Sequence, residues 1–101
     1  MSKARIEIPQ ERLAEYCRKH RIRNLALFGS VLTDDFGPDS DVDVLVEFKV
    51  GTRIGMIRLA RIESELSEII GRRVDLNTLG FINKRYRSRV LMEKEVQYAE
   101  A

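Results

Sequence analysis

The clearest pattern in the chain is the alternation DVDVLVEF at residues 41–48. It sets Val42, Val44, Val46 and Phe48 on one face and Asp41, Asp43, Leu45 and Glu47 on the other, as a half-buried strand requires. NLALFG, at residues 24–29, is a short apolar run ending in glycine and predicts a buried strand. RRVDL predicts a third, with Val74 and Leu76 pointing one way and Asp75 the other. Helical spacing governs the remaining apolar positions. Leu13, Tyr16, Cys17 and His20 follow Pro9, which can open a helix because its missing N–H is not needed in a first turn. Leu59, Ile62, Leu66 and Ile69 form the stripe of an amphipathic helix from about Ile54 to Ile70, ended by Gly71. Asn83 is placed to cap a last helix over KRYRSRVLMEKEVQYA, where Tyr86 and Val90 lie one turn apart. A short IEI segment near the start reads as extended, and TDDFGPDS is turn chemistry.

The predicted order is helix, strand, strand, helix, strand, helix. That is an α/β fold: a small mixed sheet with helices on its valine-rich face and aspartates on the opposite face. With 101 residues and no internal repeat or linker, a single domain is expected over 1–101.

Composition narrows the partners. The net charge of +2 gives no global basic field, which argues against direct nucleic-acid binding and against an anionic membrane. A single cysteine, Cys17, excludes an internal disulfide and fits a reducing compartment. No stretch approaches membrane-spanning length, and the start MSKARIEIPQERL has no apolar signal core. A soluble, cytoplasmic protein is expected.

The candidate chemistry lies on the polar face. Asp41 and Asp43 are two apart in a strand, roughly 6.6 Å along the chain, and so share a side. Two such carboxylates repel unless a cation lies between them. A divalent metal removes the conflict, and a pair of metals bridged by such residues serves in-line displacement at phosphorus. Oxygen-only ligands favour magnesium or manganese over zinc. Asp-x-Asp alone is a weak motif, and a solvated strand face explains it equally well. Gly29-Ser30 ten residues upstream strengthens the reading: the glycine lets backbone N–H groups approach a phosphate, and the serine adds a hydroxyl. Asp75 has the strand parity to join the same side, where it would complete a metal site or act as general base on a hydroxyl.

GS, ten residues, DVD, a helix and then GRRVDL together resemble the minimal nucleotidyltransferases of the DNA polymerase β superfamily, and more closely the MNT-type antitoxins paired with HEPN-domain toxins. The similarity runs from about Arg23 to Asp75. It implies transfer of a nucleoside monophosphate from a magnesium-bound NTP, with ATP the expected donor, to a hydroxyl. In the HEPN-paired members it implies AMP transfer onto a tyrosine of the toxin, silencing its ribonuclease. By motif position the resemblance assigns Gly29 and Ser30, together with Ser40, to the nucleotide. It assigns Asp41, Asp43 and Asp75 to catalysis and to a magnesium site, expected to hold two ions. Two alternatives stay open: an antitoxin that masks its partner by binding alone, and transfer to a small molecule.

The chain departs from this family at one place. Members commonly continue GS as x-A-R-G, whereas here Val31, Leu32, Thr33 and Asp34 follow, without the arginine or the glycine. Asp34 and Asp35 add negative charge near the expected triphosphate, unfavourable at close range but weakened by screening if they face water. Arg72 or Arg73 is a candidate replacement for the missing arginine. The remaining features have plainer readings. The basic start of the last helix, with Lys84, Arg85, Arg87 and Arg89, reads as a solvated face, contact with phosphate groups or RNA being the alternative; His20 meets helix-terminal carbonyls, and Cys17 and the tyrosines are packing residues.

Overall fold

The computed structural model describes residues 2–100. Helix α1 (Gln10–Lys19) leads into strand β1 (Ile22–Phe28), and a 3-10 turn at Gly29–Leu32 and a loop connect it to β2 (Val42–Phe48). Helix α2 (Met56–Ile70) and strand β3 (Val74–Asn77) follow, then a short turn at Leu79–Phe81, helix α3 (Lys84–Glu93) and strand β4 (Glu95–Ala99). The strands form one mixed sheet in the order β3-β2-β1-β4, with β1 antiparallel to both neighbours and β2 parallel to β3.

The valine-rich face is the core. Val42, Val44 and Val46 of β2 and Leu25 and Leu27 of β1 pack with Leu13, Tyr16 and Cys17 of α1 and Ile62 and Leu66 of α2. The apolar stripe read from α2 is therefore the stripe it buries, and Gly71 ends the helix in the left-handed conformation at φ 77°. Tyr16 donates its hydroxyl to the Ile62 carbonyl at 2.8 Å, joining the two helices across this layer. Burial holds the phenol well above its ordinary range, so it serves packing and not proton transfer. Burial likewise pushes the Cys17 thiol up to about 12, which leaves it inert. His20 caps the C-terminal end of α1, its backbone N–H donating to the Tyr16 carbonyl at 3.1 Å, while its ring Nε2 lies 2.6 Å from Glu65 Oε2 and the ring meets Tyr16 edge-on.

The strand β3 lies at the sheet edge, yet its outward N–H groups are not left free. Val74 N–H donates to Ser67 Oγ at 3.1 Å and Leu76 N–H donates to Glu63 Oε2 at 2.9 Å, both side chains belonging to α2. These bonds blunt the edge and fix where β3 sits.

One expectation needs correction. The last helix does not run to Ala99; it stops at Glu93, and Glu95–Ala99 form β4. The cap at Asn83 is as expected, its Oδ1 accepting from Arg85 N–H at 3.0 Å. Beyond Lys94, however, EVQYA alternates with period two and finds the otherwise open edge of β1, pairing Tyr98 with Leu25 and Val96 with Ala26. The early IEI segment joins no strand, although Ile8 is buried in the core.

Candidate active site

Strand register brings Asp43 and Asp75 together at one end of the sheet, and Asp41 lies just before β2 at that end. In the parallel pair, Asp43 stands directly beside Asp75. In the antiparallel pair, Asp43 stands opposite Phe28, so the chain leaves β1 at Gly29 immediately next to it. Asp41 precedes the first residue of β2 and is exposed, as is Asp75, whereas Asp43 is half-buried.

Gly29 has φ 76°, a conformation that L side chains rarely adopt. A Cβ there would overlap Asp43 Oδ2 and lie 3.2 Å from its Cγ. The glycine thus leaves the Asp43 carboxylate bare on the side that any other residue would cover. Ser30 lies in the tight turn that follows, its carbonyl accepting from both Thr33 N–H and Thr33 Oγ1 at 2.9 Å.

Electrostatics mark Asp43 out. Burial, reinforced by the neighbouring charges of Asp75 and Asp41, pushes its carboxyl up to about 6. Among the described residues, no three acidic, histidine or cysteine side chains are gathered tightly around a single point. The donor chemistry nevertheless fits a hard divalent cation. The candidate donors are all oxygen, the charges of Asp75 and Asp41 act on Asp43, and Gly29 carries no side chain over Asp43, the most buried of the three.

The loop that delivers Asp41 is held by a residue whose role the sequence did not show. Arg72 donates from Nη2 to the carbonyls of Gly37 at 2.7 Å, Ser40 at 2.9 Å and Pro38 at 3.3 Å, and its guanidinium lies 4.4 Å over the Phe36 ring. It is therefore a clamp on the loop and is not spare for phosphate. Ser40 serves the same turn, its Oγ accepting from Gly37 N–H at 3.0 Å. Of the two acidic residues after Gly29-Ser30, Asp34 is paired with Arg5, while Asp35 borders a cleft beside the turn. That cleft, of about 360 Å³, has Gly29 and Ser30 on one wall and Tyr86, Arg89 and Glu93 of α3 on the other.

A family model described as a nucleotidyltransferase domain matches residues 10–97, which include every element but the last residues of β4. The chain belongs to the nucleotidyltransferase domain family. A Methanocaldococcus jannaschii relative bearing the name "Putative protein adenylyltransferase" is 35% identical over 75 residues, covering 74% of this chain and 78% of the relative. A solved structure described as a minimal nucleotidyltransferase superposes with a TM-score of 0.69 at 31% identity, over 85% of this chain and 86% of that one. A toxin–antitoxin crystal structure with AMP-PNP gives a TM-score of 0.72 at 17% identity, over 92% of this chain and 75% of the other. A Shewanella oneidensis complex of a tri-AMPylated HEPN toxin with its MNT antitoxin gives 0.64 at 17% identity, over 90% and 70% of the chains. At these last identities the likeness is one of fold. This nucleotidyltransferase thus has the polymerase β-like sheet expected of it, with Asp43 and Asp75 on adjacent strands. None of its described helices is long and apolar enough to cross a membrane.

Proposed function

We propose that this nucleotidyltransferase transfers AMP from magnesium-bound ATP to a hydroxyl of a HEPN-type partner protein, acting as its antitoxin. The observation that carries the chemistry is the pairing of Asp43 with Asp75 across two parallel strands, with the bare backbone of Gly29 against Asp43. The names of the curated relatives support a protein acceptor, and the AMPylated toxin complex of the same fold supports the partner class.

Asp41, Asp43 and Asp75 are the residues that would hold magnesium, which supplies charge neutralisation at the phosphates. Gly29, through its exposed backbone, and Ser30, through its hydroxyl, would hold the triphosphate. The acceptor oxygen attacks the α-phosphorus, the bond from that phosphorus to the α–β bridging oxygen breaks, and pyrophosphate leaves. Asp75, the more exposed of the paired carboxylates, takes the acceptor's proton on a carboxylate oxygen. Arg72 acts one step back, fixing the turn that carries Ser40 and Asp41. Ser40 is a nucleotide contact in this reading only through its place in that turn.

Incubation with labelled ATP, magnesium and the HEPN-type partner tests this. Label on the partner that disappears with the Asp41→Asn/Asp43→Asn double variant is the expected result. Full neutralisation of the partner by that variant, without label, would replace transfer with masking by binding alone.

A further inference from the structure

Helix α3 contributes nothing fully buried to the core. Its residues Tyr86, Arg89, Val90 and Glu93 are spaced i, i+3, i+4 and i+7, and so share one helical face. All four line the cleft whose other wall is the turn at Gly29-Ser30. Its volume of about 360 Å³ falls in the range of about 300–1,000 Å³ usual for small-molecule sites. Tyr86 is 50% exposed although it is a large aromatic side chain. Arg89 is the one cationic side chain lining the cleft, where Asp35 and Glu93 are the two anionic ones.

A flat exposed ring and a single guanidinium, next to the turn proposed above to hold the triphosphate, match a ligand with an aromatic base and an anionic tail. We infer that this cleft seats the nucleoside end of the triphosphate, with Tyr86 stacking on the base and Arg89 pairing with the phosphate chain. The inference rests on the nucleotidyl-transfer reading and assigns it two binding residues outside the aspartate cluster. Arg89 is now held by Glu93 at 3.2 Å, in a pair whose side chains are 74% and 60% exposed. Such an exposed i,i+4 pair is weak, so a multiply charged phosphate chain displaces it. Glu93 then acts as a brake on binding, because it both occupies Arg89 and repels the ligand.

Titration of the full chain with a non-hydrolysable ATP analogue plus magnesium, and separately with inorganic tripolyphosphate plus magnesium, tests the assignment. Tyr86→Ala should weaken the ATP analogue by about tenfold and leave tripolyphosphate unchanged, and Tyr86→Phe, which keeps the ring, should recover most of that loss. Arg89→Ala should weaken both ligands by about fivefold, and Glu93→Gln should tighten both by about twofold. These side chains are exposed, so folding is not at issue and unchanged circular dichroism confirms it. Unchanged analogue affinity in Tyr86→Ala and Arg89→Ala overturns the inference while leaving nucleotidyl transfer standing. Equal weakening of both ligands by Tyr86→Ala also overturns it. If the wild-type protein binds neither ligand, the transfer reading itself falls, and this inference with it.

Discussion

The acidic cluster should make the metal-free protein less stable than it would be without Asp43. Raising a carboxyl from 3.8 to about 6 disfavours its ionised form by roughly 3 kcal/mol. Asp43 is only half-buried, so water reduces both the burial penalty, which is the larger part, and the repulsion from Asp75 and Asp41, and about 1–2 kcal/mol is expected to survive. The sign follows from proton binding. Between pH 3.8 and about 6 the folded chain holds a proton on Asp43 that the unfolded chain has lost. Stability from this group therefore falls as pH rises through that window, and the deficit is complete above it. Asp43→Asn removes the charge and nearly keeps the shape. With a chelator at pH 7, the variant should be more stable than wild type by about 1–2 kcal/mol. At pH 4, where Asp43 carries its proton, the difference should shrink towards zero. The chain has no tryptophan, so urea unfolding is best followed by far-ultraviolet circular dichroism. Added magnesium should stabilise the wild type at pH 7 by mass action and leave Asp43→Asn nearly unmoved. Transfer to the partner should be lost in the same variant. A variant less stable than wild type at pH 7, or a difference that does not change with pH, would refute the electrostatic account.

Three further substitutions separate site geometry from general stability. Gly29→Ala combines strain at φ 76° with overlap against Asp43, and should cost about 2 kcal/mol in urea unfolding and more than about tenfold in transfer rate. Arg72→Ala frees the Gly37–Ser40 turn; it should cost about 1–2 kcal/mol in urea unfolding and lower kcat/KM for ATP, since the turn that carries both Ser40 and Asp41 is misplaced. Gly71→Ala is the control: the left-handed cap at φ 77° makes it destabilising by about 1 kcal/mol, yet transfer per folded molecule should match wild type.

The parts of the fold that were legible in sequence are those whose pattern is local and strong. The alternation at residues 41–48, the stripe and terminal glycine of α2, and the opposite parity of Asp75 to Val74 and Leu76 each reflect one periodicity and one buried face. What escaped depends on contacts distant in sequence. Strand β4 is five residues long and follows a helix that buries nothing fully, so only the free edge of β1, about seventy residues earlier, decides its conformation. Arg72 looked like a spare cation, because its carbonyl targets lie 32 to 35 residues away. Asp34 looked like a second uncompensated charge until Arg5, 29 residues upstream, was found beside it. The candidate site divides in the same way. Gly29 was read as letting the backbone approach a phosphate; that the Asp43 carboxylate also leaves no room for a Cβ there follows only from the β1–β2 register.

Register also explains how a small sheet tolerates like charges side by side. A one-residue slip of β3 along β2 would relieve the repulsion between Asp43 and Asp75. It would also turn Val74 and Leu76 out of the core and carry Asp75 into it. Three bonds oppose the slip: Val42 N–H to the Arg73 carbonyl at 2.8 Å, and the two from β3 to Ser67 and Glu63 of α2. Each buried bond or side chain is worth about 1 kcal/mol or more, so together they exceed the roughly 1–2 kcal/mol expected from the carboxylates. Asp43 and Asp75 are held in proximity by packing on the far face of the sheet and along its edge. Removing Glu63 or Ser67 should therefore disturb the acidic cluster without touching it.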